Sequence, residues 1–553
     1  MSALIIAVIA GILLFLGFKF YSKRLERLWE IDPGRATPAS CKYDGIDYVP
    51  ARHWTVLFGH HFASIAGAGP ILGPVIAAGA WGWLPVLIWI VFGSIFLGGV
   101  HDFCALMISL RHEGRSIADV SKNVLNFRSK MVFSAFILLS LILVMAVFAA
   151  VTAKTLINEP KLVIPTFGLI FVAVLVGIMM YKWKWNQLVA TILGIILLSG
   201  LLIAGNYIPI SLTVANPLAL WVIILLVYAF IASVLPVNIL LQPRDYLSTF
   251  ILFFGLFFGY MGLIITRPQM HTPAFIKWSA NQGHLWPMLF VIVACGAISG
   301  FHSLIASGTT SKQLSNERDA KKIGYGAMIL EGVLAILALL CVTAGLYWTD
   351  KKGASALVYP QLMRDGDWIG TFSAGFGQIT KPILGTLGPS IAAIMLNGFV
   401  MTTLDSATRI NRYITEELFG EALKIKVFKN RYFSTGIIVG LAIWLALGNW
   451  QSIWPIFGAS NQLVAALVLI VISVYLISSG KPAKFTVYPS IFMLFTTIAA
   501  LIWQGITFFK NQNILLFIIT LLLFILAVFM MREVLIWRKN LSSRNSAAPR
   551  LQT

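Results

Sequence analysis

The chain has 553 residues and a mass of 60.9 kDa, with 58% hydrophobic and 11% charged residues and a mean hydropathy of +0.86. Soluble domains average about 45–50% apolar and about 25% charged, so ordinary soluble enzymes, disordered chains and disulfide scaffolds are excluded. The net charge of +20 would point to nucleic acid in a soluble protein, but in a membrane protein its distribution between loops must be read first.

A membrane-crossing helix needs about 20 mostly apolar residues. The sequence predicts fifteen, over residues 2–20, 52–80, 84–110, 131–153, 163–181, 187–205, 217–241, 246–265, 286–307, 322–347, 385–411, 433–448, 454–478, 486–508 and 513–536. Residues 366–384 are partly apolar and read as a re-entrant or surface piece. The first span resembles a signal peptide, but Lys19, Lys23, Arg24 and Arg27 follow the apolar run instead of preceding it. That order reads as a retained helix with its N-terminus outside. Cys41, Cys104, Cys295 and Cys341 lie far apart, with no spacing for a zinc site or a disulfide frame.

Distributing the loops over alternating sides puts 32 Lys and Arg on one side and nine on the other. The basic side is read as cytoplasmic, which places the C-terminus inside. The basic excess is then topology, and no nucleic-acid partner is expected. Three acids remain within spans: Asp102, Glu331 and Asp405. Intramembrane acids are costly and are functional candidates by default.

The second span contains Gly67-Ala68-Gly69-Pro70-Ile71-Leu72-Gly73-Pro74. Prolines cannot donate backbone hydrogen bonds, and such a break is tolerated in hydrocarbon only where protein or a water-lined cavity satisfies it. Broken helices form the substrate and ion sites of many secondary transporters; a simple kink with close small-residue packing is the alternative. The seventh span is predicted to break in the same way over Tyr228–Asn238, including Ser233, Pro236 and Asn238. Two interrupted helices five apart and opposite in direction are what a five-plus-five inverted repeat requires. The predicted organisation is an N-terminal helix and basic loop at 1–51, a core at 52–411 made of halves 52–205 and 217–411, and peripheral helices with a basic tail at 412–553.

Ser299, Ser303 and Ser307 lie one turn apart in the ninth span. Their hydroxyls could coordinate a cation or only permit close packing. His60 and His61 precede the first break, His101 adjoins Asp102, and His302 lies in the ninth span. Histidine titrates near neutral pH and can carry a proton; a neutral imidazole bonded between helices is the alternative for each. Asp405 and Arg409 are spaced i,i+4 and read as a structural ion pair. There is no P-loop, G-x-S-x-G or H-E-x-x-H motif, so neither an enzyme nor an ATP-driven pump is indicated.

Several long strings resemble the carbon starvation protein A family. They are His53-Trp54-Thr55 and Gly59 through Pro70, Val100-His101-Asp102-Phe103, Leu241 through Tyr246, Ala294 through His302, Thr402 through Arg409, and Trp454 through Gln462. The resemblance implies an inner-membrane carrier made under nutrient limitation, importing peptides or, in some members, pyruvate with protons. It also implies the five-plus-five core of the amino acid–polyamine–organocation superfamily. The expected fold is therefore an all-α polytopic membrane protein with that core plus peripheral helices.

The expected function is proton- or sodium-coupled import of a small carboxylate such as pyruvate. A peptide importer is the alternative, and a membrane nutrient sensor a weaker one. Candidate substrate-binding residues are His60, His61, Ser64, Gly67, Gly69, Gly73, Ser233 and Asn238. Candidate ion-coupling residues are His61, Asp102, Ser299, His302, Ser303 and Glu331. No metal and no cofactor beyond the coupling proton or sodium ion is expected; the partners are the substrate and the lipid membrane.

Overall fold

In a bilayer every backbone N–H and C=O must find its partner inside the protein, so a chain this apolar crosses as helices. The computed structural model describes residues 1–350, 355–364, 367–448 and 450–547. Among the described residues, thirteen helical runs are long and apolar enough to cross a membrane. The most apolar stretch of Trp54–Trp81 is 94% buried, against 33% for Ala3–Trp29 and 28% for Ile514–Lys539. The first is central; the other two present their apolar side chains outward, as a lipid-facing periphery does.

The functional region is built from thirteen helical pieces. They are α1 (Ala3–Leu16), α2 (Trp54–Ile65), α3 (Gly69–Trp81), α4 (Gly99–Arg111), α5 (Phe127–Asn158), α6 (Pro217–Val234) and α7 (Leu241–Thr266). There follow α8 (Leu285–Ile292), α9 (Gly300–Gly308), α10 (Gly326–Gly345), α11 (Gly388–Thr415), α12 (Arg431–Ala446) and α13 (Trp450–Ser478). The packing is paired. Helix α2 packs on α7 as α9 packs on α13, and α3 packs on α10 as α9 packs on α4. Likewise α5 meets α6 and α12, while α11 meets α12 and α6. This is a five-plus-five core of the leucine-transporter type, with a two-helix hairpin (Val163–Gly177 and Gln187–Tyr207) standing between α5 and α6 in the chain.

Three expectations change. The ninth span is two short helices, α8 and α9, separated by residues 293–299; the twelfth is the 16-residue α12, of the expected length and set two residues earlier. The seventh span is not broken at mid-length: α6 runs unbroken through Tyr228 to Val234 and ends there. Leu235 is extended at φ −74° and ψ 152°, as a residue before proline tends to be, and the segment to Asn238 is a turn leading into α7. The second interrupted helix is therefore the ninth span. Of the piece expected at 366–384, residue 366 lies outside the described residues and Trp368–Leu384 is a helix, packed on α7, α10 and α11 and turned at Gly385, whose φ of +55° favours glycine.

Candidate functional site

The first interruption follows from its sequence. Helix α2 ends at Ile65, and Ala66 leaves helical geometry at φ −74° and ψ 52°. Helix α3 begins at Gly69 with Pro70, which has no N–H to lose at that position. No side chain caps α3. In the second interruption α8 stops at Ile292, and Ser299 restarts the chain in extended geometry before α9.

The two interruptions touch. A β-carbon on Gly69 would lie 2.3 Å from Cys295 Sγ, and one on Gly73 would lie 2.6 Å from the Ile292 carbonyl. A β-carbon on Gly296 would lie 2.8 Å from Ala335 Cβ of α10. Gly67 is held as closely, since its β-carbon would stand 2.9 Å from Thr403 Oγ1 of α11. At each of these positions an added side chain would collide with its neighbour, a side chain at Gly67, Gly69 and Gly296 and backbone at Gly73. Asn461 of α13 holds the second interruption: its Oδ1 accepts the Phe301 N–H at 2.8 Å, and its Nδ2 donates to Ser299 Oγ at 2.9 Å. Asn461 thus caps α9 from another helix.

Above these contacts lies a cavity of about 610 Å³. Gly69, Cys295 and Asn461 line its floor, Trp368, Trp454 and Phe457 its walls, and Lys277, Asn281 and Arg364 the mouth. Lys277 and Arg364 are exposed. Among the described residues, no Asp or Glu lines it. The cavity therefore offers positive charge, an aromatic wall and an uncapped helix N-terminus, a combination suited to an anion.

Below the second interruption four titratable side chains, all fully buried, form a chain across α4, α9 and α10. His101 Nδ1 lies 2.8 Å from Asp102 Oδ1, and His302 Nδ1 lies 2.9 Å from Asp102 Oδ2. His302 Nε2 then stands 3.2 Å from Glu331 Oε2. That last contact is within ion-pair distance but outside hydrogen-bond geometry. With Nδ1–H donating to Asp102, a neutral His302 turns a lone pair toward the Glu331 carboxylate. One proton placed between Nε2 and Oε2 would remove that repulsion. Glu331 is one turn from Ala335, which packs on Gly296, and His302 lies in the first turn of α9. Among the described residues no three His, Cys, Asp or Glu side chains are placed to hold a metal ion.

The other expected residues lie apart from the cavity lining. His60 Nδ1 donates to Asp245 Oδ2 at 2.6 Å, and its Nε2 accepts from Gln313 Nε2 at 3.2 Å. His61 Nδ1 is 2.8 Å from Thr310 Oγ1. Ser64 Oγ meets Ser406 Oγ at 2.9 Å. Ser233 lies in the last turn of α6 and Asn238 in the turn that follows. Ser303 Oγ donates to the Gly300 carbonyl at 2.6 Å, so it is spent within its own helix.

The pairing of Asp405 with Arg409 does not form. Asp405 pairs with Arg244 of α7 and accepts from Tyr228 Oη at 2.7 Å. Arg409 donates to Asp47 Oδ1 at 2.6 Å and to the carbonyls of Ala232 and Leu235 at the end of α6. Helical spacing permits the i,i+4 pair, but partners from other elements take both ends. Arg244 and Asp245, read from sequence as loop charges, are buried in the first turns of α7. Sequence reasoning also passed over Lys277, Arg364 and Asn461, although Asn461 stands in one of the strings that carried the resemblance.

Residues 2–360 and 351–500 match the family of carbon starvation protein CstA. The peptide transporter CstA of Helicobacter pylori (strain ATCC 700392 / 26695) is 33% identical, over 87% of this chain and 79% of that protein. The pyruvate/proton symporter BtsT of Escherichia coli (strain K12) is 32% identical, over 90% of this chain and 81% of that protein. Among solved structures, a variant of a manganese transporter from Eremococcus coleocola superimposes with a TM-score of 0.51 at 13% identity. It covers 89% of this chain and 98% of that one, and the likeness concerns the fold alone.

Proposed function

The chain belongs to the carbon starvation protein CstA family, and we propose that this multi-pass membrane transporter imports a small carboxylate such as pyruvate by proton symport. The observation that carries the reading is the cavity over the two interruptions. Its mouth holds Lys277 and Arg364, and no acid lines it among the described residues. By the loop-charge rule that mouth opens to the outside of the inner membrane.

In this reading the cations draw the carboxylate inward, and the N-terminus of α3 at Gly69 receives it. The coupling proton sits between His302 Nε2 and Glu331 Oε2. A proton there removes a repulsion between α9 and α10, so it favours one setting of α9. The substrate bears on the same element through Cys295 and Asn461, and two ligands that favour one setting help each other to bind. A sodium site on the α9 hydroxyls is less well supported, because Ser299 is engaged by Asn461 and Ser303 by its own helix. The paired packing supports repeats at 54–266, with residues 160–207 as an insertion, and at 285–478; this shifts the boundaries expected from sequence.

Peptide import remains a second reading, favoured by the volume and the aromatic wall. A cavity of about 610 Å³ falls within the roughly 300–1,000 Å³ range of drug-sized ligand pockets, more room than a three-carbon acid needs. Uptake into proteoliposomes with an imposed inward proton gradient tests both. Labelled pyruvate should accumulate, and the accumulation should collapse with the gradient. No gradient-driven uptake by correctly inserted protein would overturn the carboxylate reading. Dipeptides that accumulate, or that compete with pyruvate at equal concentration, would favour the second.

A further inference from the structure

A second large hollow lies on the flank of the bundle, away from the transport cavity. It is a groove of about 690 Å³ walled by α1, α2, α7 and α10. Phe15, Phe58, Phe250, Phe253, Ile329 and Val333 give it an almost wholly apolar lining. Gly11 of α1 leaves it open: a β-carbon there would meet nothing within 4 Å. Glycine inside a helix costs about 1 kcal/mol relative to alanine, and here no neighbour demands the missing side chain. What the glycine provides is room.

One end of the groove is positive. Lys19 Nζ lies 5.8 Å from the Phe15 ring, Lys321 Nζ 5.7 Å from the Phe18 ring and Lys322 Nζ 4.8 Å from the Trp54 ring. All three rings line the groove. Lys321 is paired with Glu26 at 2.6 Å and Lys322 with Asp319 at 3.0 Å. Lys19 is exposed and has no carboxylate partner among the described residues. Three cations thus face two acids at one rim, which the loop-charge rule makes the cytoplasmic rim.

We propose that this groove is a binding site for an anionic phospholipid of the cytoplasmic leaflet. One acyl chain lies between α1 and α7, and the phosphate sits against Lys19 and Lys322. An apolar groove alone would accept any lipid tail; the lysines select the headgroup, since each Lys near an anionic surface contributes about 1 kcal/mol. Two walls of the groove, α2 and α7, are the inner half of the first interrupted helix and its packing partner. A bound lipid therefore braces the contact that must loosen for the inner side of that helix to move.

Native mass spectrometry of the full chain tests this, after incubation with equal amounts of phosphatidylglycerol and phosphatidylcholine. The wild type should retain phosphatidylglycerol preferentially. Lys19→Gln/Lys322→Gln should lower that retention about fivefold per lysine and leave phosphatidylcholine unchanged. Gly11→Phe should lower retention of both lipids by filling the groove, with gel filtration confirming folded protein. Equal retention of the two lipids, or a preference unmoved by the lysine variant, would overturn the proposal. So would a lipid-free dimer in which a second copy covers the groove.

Discussion

Cys295 occupies the space in front of Gly69: a β-carbon on the glycine would lie 2.3 Å from its Sγ and 2.5 Å from its Cβ. The first interrupted helix is thus seated on the second where the bare Gly69 backbone meets the Cys295 side chain, which couples the two breaks. Interiors this close-packed move between discrete arrangements and do not deform continuously. In the proposed reading, substrate at the floor of the cavity would act on both breaks at once.

The first expected outcome concerns this seat. Gly69→Ala should cut transport at least tenfold while leaving an inserted protein, since overpacking costs about 1–3 kcal/mol. Adding Cys295→Gly should return a substantial part of the rate, because it removes both atoms that the new methyl group strikes. Uptake by the two variants, normalised to the amount of folded protein, decides the matter. A double variant no better than the single one would mean that Gly69 serves transport in some way other than by this contact.

The second concerns the proton. Glu331→Gln replaces the carboxylate with an amide that can donate to His302 Nε2, so the pair is satisfied without an added proton. Gradient-driven accumulation should fall to background, while exchange of labelled for unlabelled substrate across the membrane continues. Asp102→Asn should weaken accumulation by a smaller factor, because it releases the His302 tautomer without removing the proton site. Loss of exchange together with accumulation in Glu331→Gln would assign the residue to substrate binding or to folding.

Much of this was legible in the sequence for one reason: hydrocarbon leaves helices few choices. The apolar runs, the Gly-Pro break of the second span and the three intramembrane acids follow from residue type and spacing alone. The second break was misplaced. Pro236 is a visible marker but stands at a helix end, whereas residues 293–299 contain no proline and read as an apolar continuation. What opens that segment is Asn461, 160 residues away from Phe301, and no local pattern reports it. Asp405 failed similarly, because spacing offered Arg409 while the fold supplied Arg244 from another helix.

That last contact gives the third outcome. Arg244 and Asp405 are both fully buried, with Tyr228 as the second partner of the carboxylate. Arg244→Leu should destabilise by about 3–5 kcal/mol, because it leaves an uncompensated buried charge. Removing both charges in Arg244→Leu/Asp405→Leu should recover most of that loss. Arg409→Leu should not reproduce the effect on Asp405, since Arg409 serves Asp47 and the end of α6. Thermal unfolding in detergent, followed by intrinsic fluorescence, ranks the three. If Arg409→Leu/Asp405→Leu recovered stability instead, the sequence-based pairing would stand.

The fourth outcome depends on pH. Asp47 lies in the loop before α2, where Arg409, Arg412 and Tyr413 of α11 converge on it at 2.6–3.1 Å. Burial opposes its charge, but Arg412, Arg409 and Lys312 outweigh burial and hold the carboxyl well below the usual carboxylate range. A depressed folded-state value means that the charged form is the stabilising one. Its contribution is complete above the unfolded value of about 3.9 and is lost as pH falls from there toward the folded value. Asp47→Asn should therefore lower the thermal midpoint by a constant amount from pH 5 to pH 8. The gap to wild type should then shrink progressively below about pH 4. Parallel midpoints across that whole range, acid end included, would mean that the loop is held by neutral hydrogen bonds and packing, with no net contribution from the Asp47 charge.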